Sequence, residues 1–483
     1  MTTLDTGSTA WVLASSALVL LMTPGLAFFY GGMVRAKSVL NMLMMNFICI
    51  AVVTVAWVLY GWSISFGNAN NASGNNFWGG LSEWAMHGIS SGVGASTIGA
   101  SGGTLYGSTG VPVIAVACFQ LMFAIITPAL ISGALADRTK FAGWTIYVAA
   151  WVSLVYFPVA HWVFSPNGFI NAKLHVMDFA GGTAVHINAG AAGLACALVV
   201  GRRVGFRKDP MRPHNVPFVM LGAALLWFGW FGFNAGSALM ATGQASMVFL
   251  NTQVATCTAV IGWLIAEKIQ HGKFTSLGAA SGAVTGLVAI TPACASVSPM
   301  GAIFVGLIPG FVCAYAIGLK NKFGFDDSLD VVGVHLVGGI LGTLLIGFFA
   351  TKNMVAGFTN GAKPGLFYGG GIDQLFAQAE GVGIVFGYSF TMSLIIAFAV
   401  HKTIGLRVSE EAEIAGIDQA EHAETAYDWG GLTGSLHRAA VSVALATAPE
   451  IESITAIDSG STRAPSSEPE SSGSTDTAEK VEA

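Results

Sequence analysis

Charged side chains are scarce in this chain. Lysine, arginine, aspartate and glutamate make up 10% of its 483 residues, whereas soluble domains contain about 25%. Hydrophobic residues make up 53%, and the formal net charge is -5. This composition excludes an ordinary soluble domain and predicts an integral membrane protein, for which we expect no nucleic-acid partner.

Closely spaced pairs of cysteines are also absent from the sequence. None of the six cysteines forms a Cys-x-x-Cys motif, and all six lie within or at the ends of apolar stretches. A role as small buried hydrophobic side chains explains such a scatter more simply than metal binding does. We therefore predict that the protein binds no metal or other cofactor.

Long apolar stretches are what the sequence has instead. Eleven of them approach the ~20 residues that a helix needs to cross a bilayer. They lie near residues 9–31, 41–66, 112–136, 142–164, 178–200, 216–240, 247–266, 275–294, 299–318, 328–350 and 380–404. The pattern predicts an all-α membrane protein with eleven transmembrane helices.

The basic residues lie mostly on one side of these helices. If the amino terminus is outside, only Lys173, Lys352 and Lys363 fall in outer segments, and 18 of the 21 basic residues fall on the inner side. This is the positive-inside pattern and predicts an N-out, C-in protein of the cell membrane. No positively charged segment precedes the first stretch, so we read residues 9–31 as a helix and not as a cleaved signal peptide.

The carboxyl-terminal part has a different composition. Of the 26 acidic residues, 15 follow residue 405. We predict three parts: a transmembrane transport domain over 1–404, a cytosolic regulatory tail over 405–429, and an acidic extension over 430–483. The extension is rich in serine, threonine and proline, a composition that favours disorder.

Two histidines stand in matched sequence frames. His186 and His335 each follow an aspartate by eight residues, Asp178 and Asp327, and each is followed by glycine at +4 and +7. They lie in the fifth and tenth predicted helices, which run in opposite directions, and eight residues place each about 12 Å from its own face. Both histidines therefore approach the middle of the membrane, as in an inverted-topology transporter repeat.

This pairing predicts a repeat of five plus five helices. The halves cover about 9–200 and 216–350, and the helix at 380–404 lies outside the repeat. An ionisable side chain in a membrane is a functional site by default, and histidine can accept or donate a proton near neutral pH. The alternatives are a packing role and haem ligation, and haem is disfavoured because the other histidines lie in loops, at helix ends or in the tail.

Asp178 and a group of aromatic residues are further candidates. Asp178 can cap a helix or supply negative potential near a cation entrance; we favour capping, because direct contact would bind a passing cation too tightly for release. Aromatic faces with one hydroxyl suit a small ammonium-like ion, although most interfacial aromatics are membrane anchors. The aromatic residues concerned are Phe119, Phe123, Trp162, Phe164, Trp227, Phe228, Trp230, Phe231 and Phe233.

Several motifs follow one another along the chain: Pro24-Gly-Leu-Ala-Phe-Phe-Tyr-Gly-Gly32, Asp178-Phe-Ala-Gly-Gly-Thr-Ala-Val-His186 running on to Gly201-Arg202-Arg203, Gly229-Trp-Phe-Gly-Phe-Asn-Ala-Gly-Ser237, Thr291-Pro-Ala-Cys294, and Asp326-Asp327 through His335. Together they resemble the signature of the ammonium transporter family of Amt, Mep and Rh type, most closely its bacterial Amt branch. The resemblance covers about residues 9–429. It implies a homotrimer with one pore per subunit, and a cytosolic tail that couples to a PII-type signal protein.

The resemblance also implies roles for single residues. Phe123 and Phe233 resemble the stacked pair that closes the outer mouth, and Ser237 the hydroxyl of the outer recruitment site. The other positions that match are Asp178 as the essential aspartate, His186 and His335 as the twin histidines of the pore, Thr291 beside them in the pore, and Trp230 near the pathway as a further residue of the recruitment site. At Phe164 the family commonly has tryptophan, which predicts weaker recruitment or more reliance on Phe123 and Ser237.

The sequence thus predicts a transporter and not an enzyme. We expect it to recruit ammonium at an outer aromatic site, to remove a proton and to conduct ammonia past the histidine pair, with the proton carried electrogenically. The alternatives are an ammonium sensor with incidental flux, a passive ammonia channel, and a redox protein.

Overall fold

The protein is helical. The computed structural model describes residues 4–67, 75–89, 105–358 and 360–427, and in these ranges it contains helices, turns and three isolated β-bridges but no strand. Within these described ranges, ten helices are long and apolar enough to cross a membrane, and one further apolar helix is shorter. The predicted all-α membrane class is confirmed, whereas the count of eleven and the orientation stay predictions.

We number these helices in chain order, with α8 as the shorter one. They are α1 (Thr6–Met33), α2 (Val39–Phe66), α3 (Val113–Leu135), α4 (Phe141–Ala172), α5 (Gly182–Val200), α6 (Val216–Gly236), α7 (Gly243–His271), α8 (Ser276–Ile290), α9 (Pro299–Phe323), α10 (Val332–Phe349) and α11 (Asp373–Thr403). Two short helices follow, α12 (Glu410–Ala415) and α13 (Ile417–His422).

The helix α8 is short because of a proline. It ends at Ile290, two residues before Pro292, whose ring removes a backbone donor and clashes with the preceding turn. The next residues, Thr291–Val297, continue as a fully buried turn. The predicted eighth span, 275–294, is thus a 15-residue helix followed by a non-helical segment.

Small residues let α5 and α10 approach closely. A Cβ atom added to Gly190 of α5 would lie 2.6 Å from the backbone nitrogen of Leu336 in α10. A Cβ on Gly339 of α10 would lie 3.2 Å from the Cβ of His186 in α5. Only glycine at position 190 allows so short a distance between the two backbones. This close approach brings the two histidine-bearing turns into contact.

The segment after α11 caps two other helices. Asp418 accepts hydrogen bonds from the N–H groups of Leu40 (3.0 Å) and Asn41 (2.8 Å) at the start of α2. Glu421 accepts one from the N–H of Phe141 (2.9 Å) at the start of α4. Neither helix has a capping side chain of its own, so the tail supplies acceptors that first-turn N–H groups otherwise lack. The predicted extension, 430–483, lies outside the described residues.

A buried ion cluster holds the same end of the bundle together. Arg203 makes a two-pronged contact with Asp326 through its Nε (3.0 Å) and Nη2 (2.8 Å) atoms and a further ion pair with Asp137 (3.2 Å). Glu413 of α12 is fully buried, pairs with Arg407 (2.9 Å) and accepts the N–H of Val204 (2.7 Å). Glu413 also pairs with Arg35, which follows α1 (3.6 Å), so the tail is joined to the bundle by charges as well as by caps.

Asp326 is the best-connected carboxylate of this cluster. Burial by itself raises the pKa of Asp326, but the hydrogen bond from Arg203 and the positive charges of Arg138 and Arg203 outweigh it, so the pKa lies below its usual range. Asp326 is therefore ionised at neutral pH, and its contribution to stability is lost only as the pH falls through that lowered pKa.

We expect Asp326→Asn to destabilise the protein strongly. The change leaves the buried guanidinium of Arg203 with a neutral partner, and breaking a buried ion pair from one side costs about 3–5 kcal/mol. The measurement is the unfolding temperature of the purified protein in detergent, followed by tryptophan fluorescence.

Asp373→Asn is the matched control, because the Lys363–Asp373 pair is about as short (2.6 Å) but has side chains 59% and 61% exposed. Such an exposed pair contributes about 0–1 kcal/mol. Equal unfolding temperatures for the two variants would contradict the prediction that the buried Arg203–Asp326 pair contributes more stability than the exposed Lys363–Asp373 pair.

Candidate functional site

The two histidines lie in widened helical turns. His186 belongs to a π-helical turn, Gly182–Ile187, that begins α5, and His335 belongs to another, Val332–Leu336, that begins α10. Such turns are rare and occur frequently at functional sites, because the extra residue changes the direction of the side chains. Nothing in the hydrophobic pattern predicts them.

The two imidazole rings contact each other. Their Nδ1 atoms lie 3.3 Å apart, and the ring centroids are 5.4 Å apart with planes inclined by 20°. Both side chains are buried. In this contact one Nδ1 atom donates a proton and the other accepts it, so the pair shares one hydrogen bond.

The outer edges of the two rings have different surroundings. The Nε2 atom of His186 is buried without a hydrogen-bond partner in the described part of the chain. Buried polar atoms of this kind usually have a partner. His335 borders a small cavity that is also lined by Tyr30, Ser281 and Asp330. The pair thus presents one free nitrogen on one side and adjoins an opening on the other.

Asp178 caps the turn that carries His186. Its Oδ1 atom accepts the N–H groups of Gly181 (2.8 Å) and Gly182 (2.7 Å), and its Oδ2 atom accepts the N–H (2.7 Å) and the hydroxyl of Thr183. Gly181 has a φ of 114°, which only glycine adopts readily. The carboxylate is therefore occupied by the protein itself.

Asp327 repeats this arrangement in front of His335. It accepts the N–H groups of Val331 (3.1 Å) and Val332 (2.7 Å) through its two oxygens. Each histidine-bearing turn therefore begins at an aspartate cap eight residues before the histidine. The two halves of the chain share this local structure as well as the sequence frame.

Trp230 and Thr291 lie beside the histidine pair. The indole of Trp230 stacks on the imidazole of His186, with centroids 5.4 Å apart and planes inclined by 19°. Its Nε1 atom donates to the Thr291 hydroxyl (2.9 Å), which in turn donates to the carbonyl of Leu287 (2.7 Å). Thr291 thus orients Trp230, and Trp230 borders His186 and does not line the outer cavity.

The phenylalanines form a continuous line toward the histidines. Phe164 meets Phe123 edge-on at 6.2 Å, Phe123 stacks on Phe233 at 4.1 Å, and Phe233 lies 6.1 Å from His186. Phe123 and Phe233 are each only 1% exposed. The stacked pair therefore separates the outer cavity from the buried imidazoles.

A cavity of about 350 Å³ lies outside the phenylalanine pair. Phe164, Ser237 and Asp178 line it. The hydroxyl of Ser237 donates to the carbonyl of Phe233 (2.8 Å), which leaves its oxygen free to accept. Trp162 does not line the cavity; its indole donates to the carbonyl of Phe77 (2.8 Å).

Two residues of this cavity were missed by the sequence analysis. Gln120 lies on α3, one turn before Phe123, and its Oε1 atom is buried without a partner in the described residues. Tyr106 lies in the turn that precedes α3. Gln120 could have been found from its polar character within an apolar helix, whereas no sequence signal places Tyr106.

We expect Asp178→Asn to destabilise the fold. An asparagine keeps one acceptor oxygen but places an amide donor against the N–H groups that the second oxygen accepts, which costs roughly 2 kcal/mol or more. The measurement is again the unfolding temperature in detergent.

Asp5→Asn is the matched control, because Asp5 caps α1 through the single N–H of Ser8 (2.9 Å). Asparagine and aspartate cap exposed helices about equally well. A smaller loss of stability in Asp178→Asn than in Asp5→Asn would contradict the capping role.

Known proteins share this architecture and sequence. The model of the Ammonium Transporter Family matches residues 10–427. An ammonium transporter of Mycobacterium bovis is 55% identical over 447 residues, which cover 89% of this chain and 92% of that protein. One of Aquifex aeolicus is 46% identical over 429 residues, with 88% and 94% covered.

Solved structures agree with this similarity. The crystal structure of Saccharomyces cerevisiae Mep2 superposes with a TM-score of 0.73 at 31% identity, covering 85% of this chain and 91% of that one. A structure titled Sensor Amt Protein superposes with a TM-score of 0.76 at 27% identity, covering 86% and 98%. The chain therefore belongs to the ammonium transporter family.

Proposed function

We propose that the protein takes ammonium from outside the cell and delivers ammonia and a proton to the cytoplasm. Ammonium is recruited in the outer cavity and gives one proton to the Nε2 atom of His186, which has no partner among the described residues, and ammonia then passes the phenylalanine pair and the twin histidines. The released proton travels separately along the histidine pair, so that transport is electrogenic. Belonging to a family whose relatives are named transporters supports this proposal.

The observation that carries the proposal is the line of rings from the outer cavity to His335. It begins with three apolar rings, Phe164, Phe123 and Phe233, and ends with two imidazoles. An intact cation crosses buried apolar surface only at a high cost. A neutral ammonia molecule avoids that cost, and the imidazoles can handle the proton.

The outer cavity suits recruitment without tight binding. Aromatic faces attract a small cation, and the free oxygen of Ser237 can accept an N–H of ammonium. Asp178 lines the same cavity, but its oxygens already accept five protein hydrogens. Ammonium is therefore not held by a free carboxylate, which favours its release toward the pore.

Selectivity then follows from chemistry as well as from size. The Nδ1 contact between His186 and His335 holds one proton between the rings, and the Nε2 atom of His186 has no partner in the described part of the chain. A proton can enter and leave such a pair. A potassium ion has no proton to give, so it cannot use a pathway that requires deprotonation.

We further propose the family's topology for this chain. The matched aspartate caps and π-helical turns of α5 and α10 support an inverted repeat of five plus five helices, with α11 outside it. The distribution of basic residues supports an N-out, C-in orientation. In that orientation, α8 is one of eleven spans and the segment after α11 is cytosolic.

Assembly and partners are part of the same proposal. By resemblance to the family, we infer a homotrimer in the cell membrane with one pore in each subunit. The capping contacts of Asp418 and Glu421 with α2 and α4 support a regulatory tail, since a PII-type protein bound there would act on helix ends.

An ammonium sensor is the second candidate. It is favoured by the similarity to the structure titled Sensor Amt Protein. The two candidates differ in flux, because a sensor does not need to conduct. Ammonium-evoked current in vesicles with the purified protein supports the transporter, ammonia flux without current supports a gas channel, and the absence of both supports the sensor.

We expect the double variant His186→Leu, His335→Leu to lose transport or to lose discrimination against potassium. Leucine fills a similar volume but neither accepts nor donates a proton, so ammonium can no longer be separated from its proton along this route. The measurement is the current evoked by ammonium, potassium and methylammonium in proteoliposomes.

The matched control is His271→Leu, which removes an exposed imidazole at the end of α7. This variant should keep the selectivity and current of the wild type. Selective flux that is unchanged in the double variant would refute the proposed route.

A further inference from the structure

The outer cavity must hold a cation with neutral groups. Asp178 is the one carboxylate among its described lining residues, and that carboxylate is occupied by the backbone of Gly181, Gly182 and Thr183. A neutral site binds ammonium through aromatic faces and through oxygens that accept its N–H groups. The identity of those oxygens then decides how tightly the cation is held.

Tyr106 is placed at this cavity by a well-anchored turn. Its N–H donates to the carbonyl of Val111 (2.9 Å), and its carbonyl accepts the Thr109 hydroxyl (2.7 Å). The turn is fixed to the start of α1 as well, because the N–H of Asp5 donates to the carbonyl of Gly110 (2.9 Å). The tyrosine therefore has a defined position on the cavity wall.

The phenol of Tyr106 is available to a ligand. Within the described residues its hydroxyl makes no hydrogen bond, although the ring packs against the hydrophobic core. Burial raises the pKa of Tyr106 to about 12, so the hydroxyl stays protonated at physiological pH. Tyr106 is half-buried, and the cavity that it lines offers its hydroxyl a place for a hydrogen-bond partner.

The phenylalanine at position 164 determines what Tyr106 can add to the cation site. It lines the same cavity, and its edge-on contact with Phe123 connects the cavity to the phenylalanine pair. A phenylalanine ring has no hydrogen-bonding atom, and its attraction for cations is weaker than that of tryptophan. Phe164 therefore supplies no hydrogen-bond acceptor for a cation in this cavity.

On the basis of the proposed function, we propose that Tyr106 is a cation-binding residue of the outer site and sets its affinity for ammonium. The phenol oxygen accepts one N–H of ammonium while the oxygen of Ser237 accepts another, and the ring of Tyr106 adds a polar aromatic wall beside Phe164. Tyr106 acts before deprotonation, so it determines binding and not the rate of conduction.

The variant Tyr106→Phe tests the hydroxyl alone. It preserves the ring and its packing, so it should raise the half-saturating ammonium concentration about two- to tenfold, the range expected for one net hydrogen bond. The maximum current should not change. Tyr106→Leu also removes the aromatic face and should raise the half-saturating concentration further. Currents are measured on full-length protein in proteoliposomes over a range of ammonium concentrations.

Tyr368→Phe is the matched control. Tyr368 belongs to the short helix Leu366–Tyr368 and is not among the residues that line the cavity. This variant should keep the half-saturating concentration of the wild type, and the unfolding temperature of each variant shows whether the fold is intact.

The results distinguish a failure of the role proposed for Tyr106 from a failure of the proposed transport function. If the wild type conducts and Tyr106→Phe has the same half-saturating concentration, or lowers only the maximum current, the role of Tyr106 is refuted while the transport function stands. If the wild type shows neither current nor ammonia flux, the transport function fails and the inference fails with it.

Discussion

The contact between two buried imidazoles is the interaction on which the rest of the site depends. His186 and His335 come from separate halves of the chain and meet through their Nδ1 atoms at 3.3 Å. Their turns are π-helical, each is capped by an aspartate, and glycines at 190 and 339 let the two backbones approach. Trp230 stacks on one of the rings and is itself held by Thr291. Each of these features is local, and together they maintain one geometry that a proton can use.

The second constraint is the cost of charge in an apolar pathway. Among its described lining residues the outer cavity has no carboxylate free for a cation, and beyond it lie two stacked phenylalanines that are almost fully buried. Such a path opposes an intact ion and permits a neutral molecule. The proposed separation of ammonia from its proton follows from that cost. It also explains why weak neutral ligands such as Ser237, and by our proposal Tyr106, are better suited to the entrance than a charged one.

The opposite end of the bundle is organised by charge. Arg203, Asp326 and Asp137 form buried pairs, and Glu413 joins the tail to them through Arg35, which pairs with both Glu413 (3.6 Å) and Asp137 (3.5 Å). Asp418 and Glu421 cap α2 and α4, which have no capping side chains of their own. Asp326 lies directly before Asp327, the cap of the turn that carries His335. The tail and the histidine pair are thus linked through neighbouring residues of one connected structure.

The membrane class, the approximate positions of the long helices and the matched Asp and His frames as a candidate site could all be predicted from the amino-acid sequence. Those properties depend on apolar length and on ionisable residues in unusual surroundings, which are visible along the chain. Pro292 shows where this reasoning becomes less exact, because the apolar stretch at 275–294 continues after α8 has ended. Three features became visible only in the folded molecule: the π-helical turns, the capping of α2 and α4 by a distant tail, and the position of Tyr106 at the outer cavity. Each of these joins residues far apart in sequence or departs from helical periodicity, and hydropathy records neither the partner that a side chain meets nor the rotation of a turn.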